Sequence, residues 1–192
     1  EKEEHDHETD EASDASGEID EHIWTSPVNA QKIVAQVAKD LAEVDPEHQE
    51  QYQKNADKYI KKLQTLDKDI RQVTSRAKHK YLAFADRFPL RYFVEEYGLD
   101  YTAAFAGCSS DTEPSAETIT YLTRQVKERK LPVVLKIELT SDKVAKAVAE
   151  AASTKEHEVK VETFYTCHNV TRQQFDAVSY THLRAHETEA DL

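Results

Sequence analysis

The sequence lacks any apolar run as long as a membrane-spanning helix, which needs about 20 residues. It also lacks a signal peptide, and it begins with Glu1 rather than methionine, as a processed form or a fragment would. We expect a fragment that is truncated at both ends. The two cysteines, Cys108 and Cys167, form no CxxC motif. They permit one disulfide, two metal ligands or two unreactive thiols, so their number assigns no compartment.

Positive charge is also scarce, because 25 Lys and Arg residues face 37 Asp and Glu residues and leave a net charge of -12. This balance argues against nucleic acid as a partner and favours a cation. The excess is concentrated in residues 1–22, which hold eleven acidic residues and one base, Lys2. The acidity therefore belongs to one segment, and the rest of the chain is nearly neutral.

The acidic segment, residues 1–21, is predicted to be disordered. It has no aromatic residue and only one large aliphatic residue, Ile19, so it cannot bury enough surface to offset the entropy of ordering. His5 and His7 lie among its carboxylates. We interpret them as weak metal-capture residues, and the alternative is a solvated acidic linker.

Residues 22–77 are predicted to be helical. Ser26 is a good N-cap and Pro27 suits the first helical position, and apolar residues then recur at helical spacing up to Val44. A second apolar stripe, from Tyr52 to Val73, predicts one long helix of roughly 40 Å.

Residues 78–177 are predicted to form an α/β lobe. Helical stretches near 90–97, 115–129 and 141–152 alternate with short β-type runs, which indicates a parallel four-stranded sheet flanked by helices. The runs are Tyr81–Ala85, Tyr101–Phe105, Val133–Ile137 and Val159–Tyr165. The predicted fold class is therefore α/β, with a long linking helix followed by this C-terminal lobe.

Residues 178–192 fit no element of this pattern and resemble a translated sequencing-adapter string. We expect a non-native tail and exclude it from the fold. The pair His182 and His186 has a spacing suited to zinc on a helix, but we reject it for the same reason.

Potential metal ligands follow every predicted strand. Ligands in an open parallel sheet bind beyond the carboxyl ends of the strands, so these side chains are expected at one edge. A mixture of carboxylate, thiolate and imidazole groups suits zinc better than calcium or magnesium. The residues are Asp86, Cys108, Glu138, Cys167 and His168.

Each of these residues also has a structural interpretation. Asp86 is suited to capping the helix that follows, and we interpret Glu138 as a solvated or capping carboxylate. His168 is open to interpretation as an exposed loop histidine. In an oxidising compartment the two cysteines are at least as suited to a disulfide as to metal binding.

Four segments, taken together and in their order along the chain, resemble the zinc and manganese solute-binding proteins of ABC importers. This group includes zinc receptors that carry a His-rich loop. The acidic segment resembles the end of that loop, and Asp20–Pro27 resembles the segment after it. The stripe from Tyr52 to Val73 resembles the family's linking helix. Tyr97–Leu99 and Ala106–Ser115 resemble stretches of its C-terminal lobe.

The resemblance implies two α/β lobes joined by a long helix, with the metal held between them and one ligand supplied by a lobe outside this chain. It implies that His22 is a metal ligand. It further implies an extracytoplasmic receptor that captures Zn²⁺, with Mn²⁺ less favoured, and passes it to a membrane permease without catalysis. Contact with the membrane is then expected only through an anchor or the permease.

The chain departs from the family at two ligand positions. The family places a histidine soon after the first strand of this lobe, where this chain has Phe84–Phe88 without one. The family's last ligand is a carboxylate, where this chain has Cys167 and His168. The alternatives are a manganese or iron receptor of the same fold, a metal-dependent α/β hydrolase, and an adhesin on this scaffold.

Overall fold

The computed structural model describes residues 20–106, 113–166 and 171–172. The predictions for His5, His7, Cys108, Cys167, His168 and residues 178–192 lie outside these ranges. Within them, short 3₁₀ turns at Ile23–Thr25 and Pro46–His48 precede the first two helices. The helices are α1 Pro27–Val44, α2 Gln49–Arg76, α3 Arg91–Tyr97, α4 Ala116–Glu128 and α5 Lys143–Ala152; the strands are β1 Tyr81–Phe88, β2 Asp100–Ala106, β3 Val133–Ile137 and β4 Lys160–Phe164.

The two N-terminal helices form where the sequence predicts them. The Ser26 hydroxyl accepts a hydrogen bond from the Asn29 N–H at 3.2 Å, and Pro27 occupies the first turn of α1. Helix α2 has 28 residues and buries Ala56, Leu63, Leu66 and Ile70. The apolar stripe thus attaches α2 to the lobe. Among the described residues, no helix combines the length and the apolar character that a membrane crossing needs.

The outer part of α1 is less buried than its apolar pattern predicts. Val37 and Val44 are 49% and 85% exposed, whereas Ala38 is 6% exposed. Only one side of the α1 stripe therefore packs against α2.

The four strands of the described residues form one parallel sheet in the order β2-β1-β3-β4, which confirms the predicted fold class. From β1 the chain continues to β2 at one edge of the sheet, and from β3 it continues to β4 at the opposite edge. A topological switch point therefore lies between the carboxyl ends of β1 and β3, where open α/β sheets bind ligands.

Alternation along β1 divides the core into two layers. Phe84 packs with α2 and α3 on one face, and its neighbours Ala83 and Ala85 pack with α4 and α5 on the other. Both faces are covered by helices, as parallel sheets require. This rigid, doubly covered sheet holds the carboxyl ends of its strands in fixed positions.

Strand β1 is longer than predicted. We expected it to end at Ala85, but it runs to Phe88 because pairing with β2 resumes after an extra residue: Phe84 pairs with Ala103 and Arg87 with Phe105. This β-bulge places Asp86 inside the strand rather than in the loop after it.

Candidate metal centre

His22 is the most enclosed polar residue of the candidate site, with 1% of its surface exposed. It immediately precedes the 3₁₀ turn Ile23–Thr25, and its carbonyl accepts hydrogen bonds from the Thr25 N–H at 3.2 Å and the Thr25 hydroxyl at 2.8 Å. The Trp24 ring lies 5.4 Å from the imidazole, centroid to centroid. The tight turn before α1 therefore fixes the backbone that carries this imidazole.

Asp20 orients the His22 ring. Its Oδ1 atom lies 2.7 Å from His22 Nδ1 and also accepts the His22 backbone N–H at 2.8 Å. When Nδ1 donates its proton to the carboxylate, Nε2 carries the lone pair that binds a metal. A carboxylate behind a histidine is the usual outer partner of a zinc-bound imidazole.

Tyr92 connects this segment to the lobe. Its hydroxyl donates to the Asp20 backbone carbonyl at 2.9 Å, across 72 residues of sequence. Tyr92 lies in the first turn of α3, which begins just beyond the carboxyl end of β1. The bond therefore holds His22 near the edge of the sheet at which parallel α/β folds bind ligands.

Glu21 completes a group of three potential ligands. One ligand atom from each of Asp20, Glu21 and His22 lies within 4.8 Å of the others. Glu21 is exposed, so water competes with its carboxylate for any cation, and Asp20 already uses Oδ1 on His22. The buried His22 imidazole, held by Asp20 and Tyr92, is therefore a stronger candidate ligand than either carboxylate of the group.

Asp86 is buried, with 6% exposure, and binds neighbouring backbone. Its Oδ1 accepts the Arg87 N–H at 2.8 Å, and its Oδ2 accepts the Ile137 N–H of β3 at 3.2 Å and contacts the Thr140 hydroxyl. The N-cap of α3 is Leu90, so the alternative in which Asp86 caps that helix is wrong. Three contacts occupy most of the roughly four acceptor sites of a carboxylate.

Glu138 is not the solvated carboxylate that we expected, because it is 3% exposed. Its two oxygens accept the backbone N–H and the hydroxyl of Thr166, each at 2.9 Å. The interpretation as a helix cap also fails, since the N-cap of α5 is Asp142. Glu138 instead joins the chain leaving β3 to the chain leaving β4.

The structure thus places His22 near the carboxyl edge and Asp86 and Glu138 at it. Sequence reasoning missed two supporting residues. The Asp-x-His spacing of Asp20 and His22 was a signal for the first, but nothing in the sequence links Tyr92 to Asp20. The other predicted ligands, Cys108, Cys167 and His168, lie outside the described residues and remain predictions.

Comparison with known proteins identifies the family. A family model described as ZnuA, zinc-uptake complex component A periplasmic, matches residues 1–190. That range ends within the segment 178–192, whose non-native origin remains a prediction. The chain is 36% identical over 158 residues to the high-affinity zinc uptake system protein ZnuA of Bacillus subtilis, a match that covers 82% of this chain. It spans 47% of that relative, about half its length.

Similar solved structures include one from Bacillus subtilis and one from Streptococcus pneumoniae. The metal-dependent lipoprotein YcdH from Bacillus subtilis is 31% identical with a TM-score of 0.75, covering 94% of this chain and 67% of that one. The Zn(II)-bound ZnuA-like domain of Streptococcus pneumoniae AdcA is 30% identical with a TM-score of 0.70, covering 91% of this chain and 64% of that one. These matches confirm the resemblance drawn from the sequence. The chain belongs to the ZnuA family, which is described as zinc-uptake complex component A, periplasmic.

Proposed function

We propose that this chain forms part of an extracytoplasmic receptor that binds Zn²⁺ and delivers it to the permease of an ABC importer. The observation that carries the proposal is the buried His22 imidazole, whose Nδ1 lies 2.7 Å from Asp20 and whose segment is bound to α3. Relatives named for zinc uptake and a zinc-bound domain of similar fold support zinc as the cargo.

His22 is the ligand that the geometry supports best, through Nε2. Further ligands are proposed from the strand ends: His168, Cys167 and Cys108 supply the imidazole and thiolate groups that favour zinc. Asp86 has at most about one acceptor site left beside its three protein contacts, so it ranks below them. No step of capture and release needs a catalytic residue.

His5 and His7 are proposed to raise the local cation concentration without joining the tight site. Their segment carries most of the net charge of -12, and its effect should be screened by salt. The receptor is proposed to meet the membrane only through an anchor or the permease.

The proposal is tested by titrating zinc into the full chain in competition with a chromophoric chelator, with Mn²⁺ in a parallel titration. His22→Ala is expected to weaken zinc binding at least about tenfold, equivalent to about 1.4 kcal/mol. Strengthening by a reductant would place the cysteines among the ligands, because only free thiols bind zinc.

The matched control is His48→Ala. His48 also pairs with a carboxylate, Asp45 at 2.8 Å, but its side chain is 64% exposed. Its loss should leave the tight site unchanged. Equal losses in the two variants, or no binding by the unaltered chain beyond that of a surface histidine, would refute the zinc site at His22.

A further inference from the structure

The turn after β3, residues 138–140, lies at the carboxyl edge of the sheet and is here called the β3 turn. Strand β3 pairs with β1 on one side and with β4 on the other. The β3 turn therefore stands between the chain segments that leave its two neighbours. Its side chains contact the chain after β4 and the last part of β1, where Asp86 lies.

On the β4 side, Glu138 makes two hydrogen bonds to a single residue. The backbone N–H and the hydroxyl of Thr166 each lie 2.9 Å from a different Glu138 oxygen. Both residues are buried, at 3% exposure each. A carboxylate held in this two-point manner fixes the direction as well as the position of the chain that leaves β4.

On the β1 side, the partner is Asp86 at the β-bulge. Its Oδ2 atom accepts the Ile137 N–H at 3.2 Å and contacts the Thr140 hydroxyl. Two buried carboxylates thus fasten the β3 turn to both neighbouring strand ends.

Leu139, in the middle of the β3 turn, has φ 59° and is 68% exposed. A leucine rarely adopts this left-handed conformation, because its Cβ approaches the following carbonyl. Such strained residues persist where the surrounding structure fixes them, and they concentrate at functional sites. The contacts of Glu138 with Thr166 and of Thr140 with Asp86 fix the residues on both sides of Leu139 and thereby hold Leu139 in this conformation.

We propose that Glu138 is a positioning residue of the metal site. By holding Thr166, it fixes the end of the chain that leaves β4 at the carboxyl edge of the sheet, where Asp86 also lies. Cys167 and His168, two of the ligands proposed above, follow Thr166 directly in the sequence. The inference rests on the proposed function, since it assigns Glu138 a role in zinc affinity. Glu138 itself does not bind the metal.

The test compares Glu138→Ala with Glu138→Gln in the full chain, by the same chelator competition. Glutamine can accept the Thr166 N–H and donate to its hydroxyl, so it should stay within about threefold of the unaltered affinity. Alanine removes both hydrogen bonds to Thr166 and should weaken zinc binding about tenfold. In the Co²⁺-loaded protein, alanine should also change the visible ligand-field bands, because the ligand geometry shifts.

A matched control lies at the start of β4, at the opposite end of that strand from Thr166. The Ser153 hydroxyl accepts the Val159 N–H at 3.0 Å just before β4 begins. Ser153→Ala should lower the melting temperature without changing zinc affinity or the cobalt bands. If Glu138→Ala does not fold, Thr166→Val serves instead: it keeps the backbone N–H bond and should give a smaller loss of zinc affinity, below about tenfold.

Unchanged zinc affinity in folded Glu138→Ala, or in Thr166→Val where that variant replaces it, overturns the inference while the receptor proposal stands. Equal weakening by glutamine and alanine also overturns it, because that pattern marks a direct ligand. Absence of tight zinc binding by the unaltered chain overturns the proposed function and this inference with it.

Discussion

Two histidine–carboxylate pairs lie at opposite ends of α1, and their geometry is almost the same. His22 Nδ1 is 2.7 Å from Asp20 Oδ1, and His48 Nδ1 is 2.8 Å from Asp45 Oδ2. Their surroundings differ: the side chains of the first pair are 1% and 12% exposed, those of the second 64% and 40%. The distance between the two side chains therefore does not by itself distinguish the candidate metal site from a surface contact.

A tyrosine supports each pair, and the two tyrosines differ in the same way. Tyr52, in the first turn of α2, donates to the Asp45 carboxylate seven residues earlier in the sequence. Tyr92 donates to the Asp20 backbone carbonyl from another part of the fold, 72 residues away. The buried pair is positioned by tertiary structure, whereas the exposed pair needs only its neighbours in sequence. Ligand binding should depend on the first pair alone.

The largest expected difference in zinc affinity between the two pairs comes from removing their carboxylates. Asp20→Ala should weaken zinc binding about 10–100-fold, because His22 loses the partner that sets its tautomer and orientation. Asp45→Ala should leave affinity unchanged. Both are measured by chelator competition on the full chain.

Asp20→Asn sharpens the result, since its side-chain oxygen still accepts the Nδ1 proton but without charge. An affinity between those of the unaltered protein and the alanine variant is expected. If Asp20→Ala binds zinc normally, Asp20 does not position His22 and the buried pair has no advantage over the exposed one.

The sequence predicts the helices and the sheet well, for local reasons. Ser26 and Pro27 start α1 through contacts within one turn, and the stripe of α2 reports its buried side directly. The end of β1 was missed because the bulge and the contact from Asp86 to Ile137 keep the strand going, and that contact spans 51 residues. Local patterns do not encode partners at such a separation.

The candidate site was predicted less completely for the same reason. His22 carried over from a motif, but Thr166, which donates two hydrogen bonds to the Glu138 carboxylate, is 28 residues away. A carboxylate that follows a strand has the same sequence pattern whether water or a buried threonine donates hydrogen bonds to it. Only the fold separates these two cases.

A smaller effect is expected from the tyrosines. Tyr92→Phe removes one hydrogen bond, a net loss of about 0.5–1.5 kcal/mol, and should weaken zinc binding by about twofold to tenfold. Tyr52→Phe should not affect zinc binding, because its bond supports only the exposed pair. Equal zinc affinities in the two variants would show that the hydrogen bond from Tyr92 to Asp20 does not matter for the site.

The smallest effect separates the same two tyrosines by pH. The hydrogen bond from Tyr52 is the main cause that lowers the pKa of Asp45 from its ordinary 3.8, with further contributions from His48. A carboxyl with a lowered folded-state pKa adds stability above its unfolded pKa, and this is lost as pH falls through the folded value. The destabilisation caused by Tyr52→Phe should therefore shrink as the pH is lowered from about 6 to about 3.

Tyr92 bonds a backbone carbonyl, which does not titrate in this range. The destabilisation caused by Tyr92→Phe should therefore stay constant over the same pH interval. Urea unfolding followed by far-ultraviolet circular dichroism measures both differences. The shift for Tyr52→Phe should be small, since water and salt screen an exposed pair. A pH-dependent difference for Tyr92→Phe would mean that its hydroxyl acts on a carboxylate, and the two pairs would then be alike in mechanism as well as in geometry.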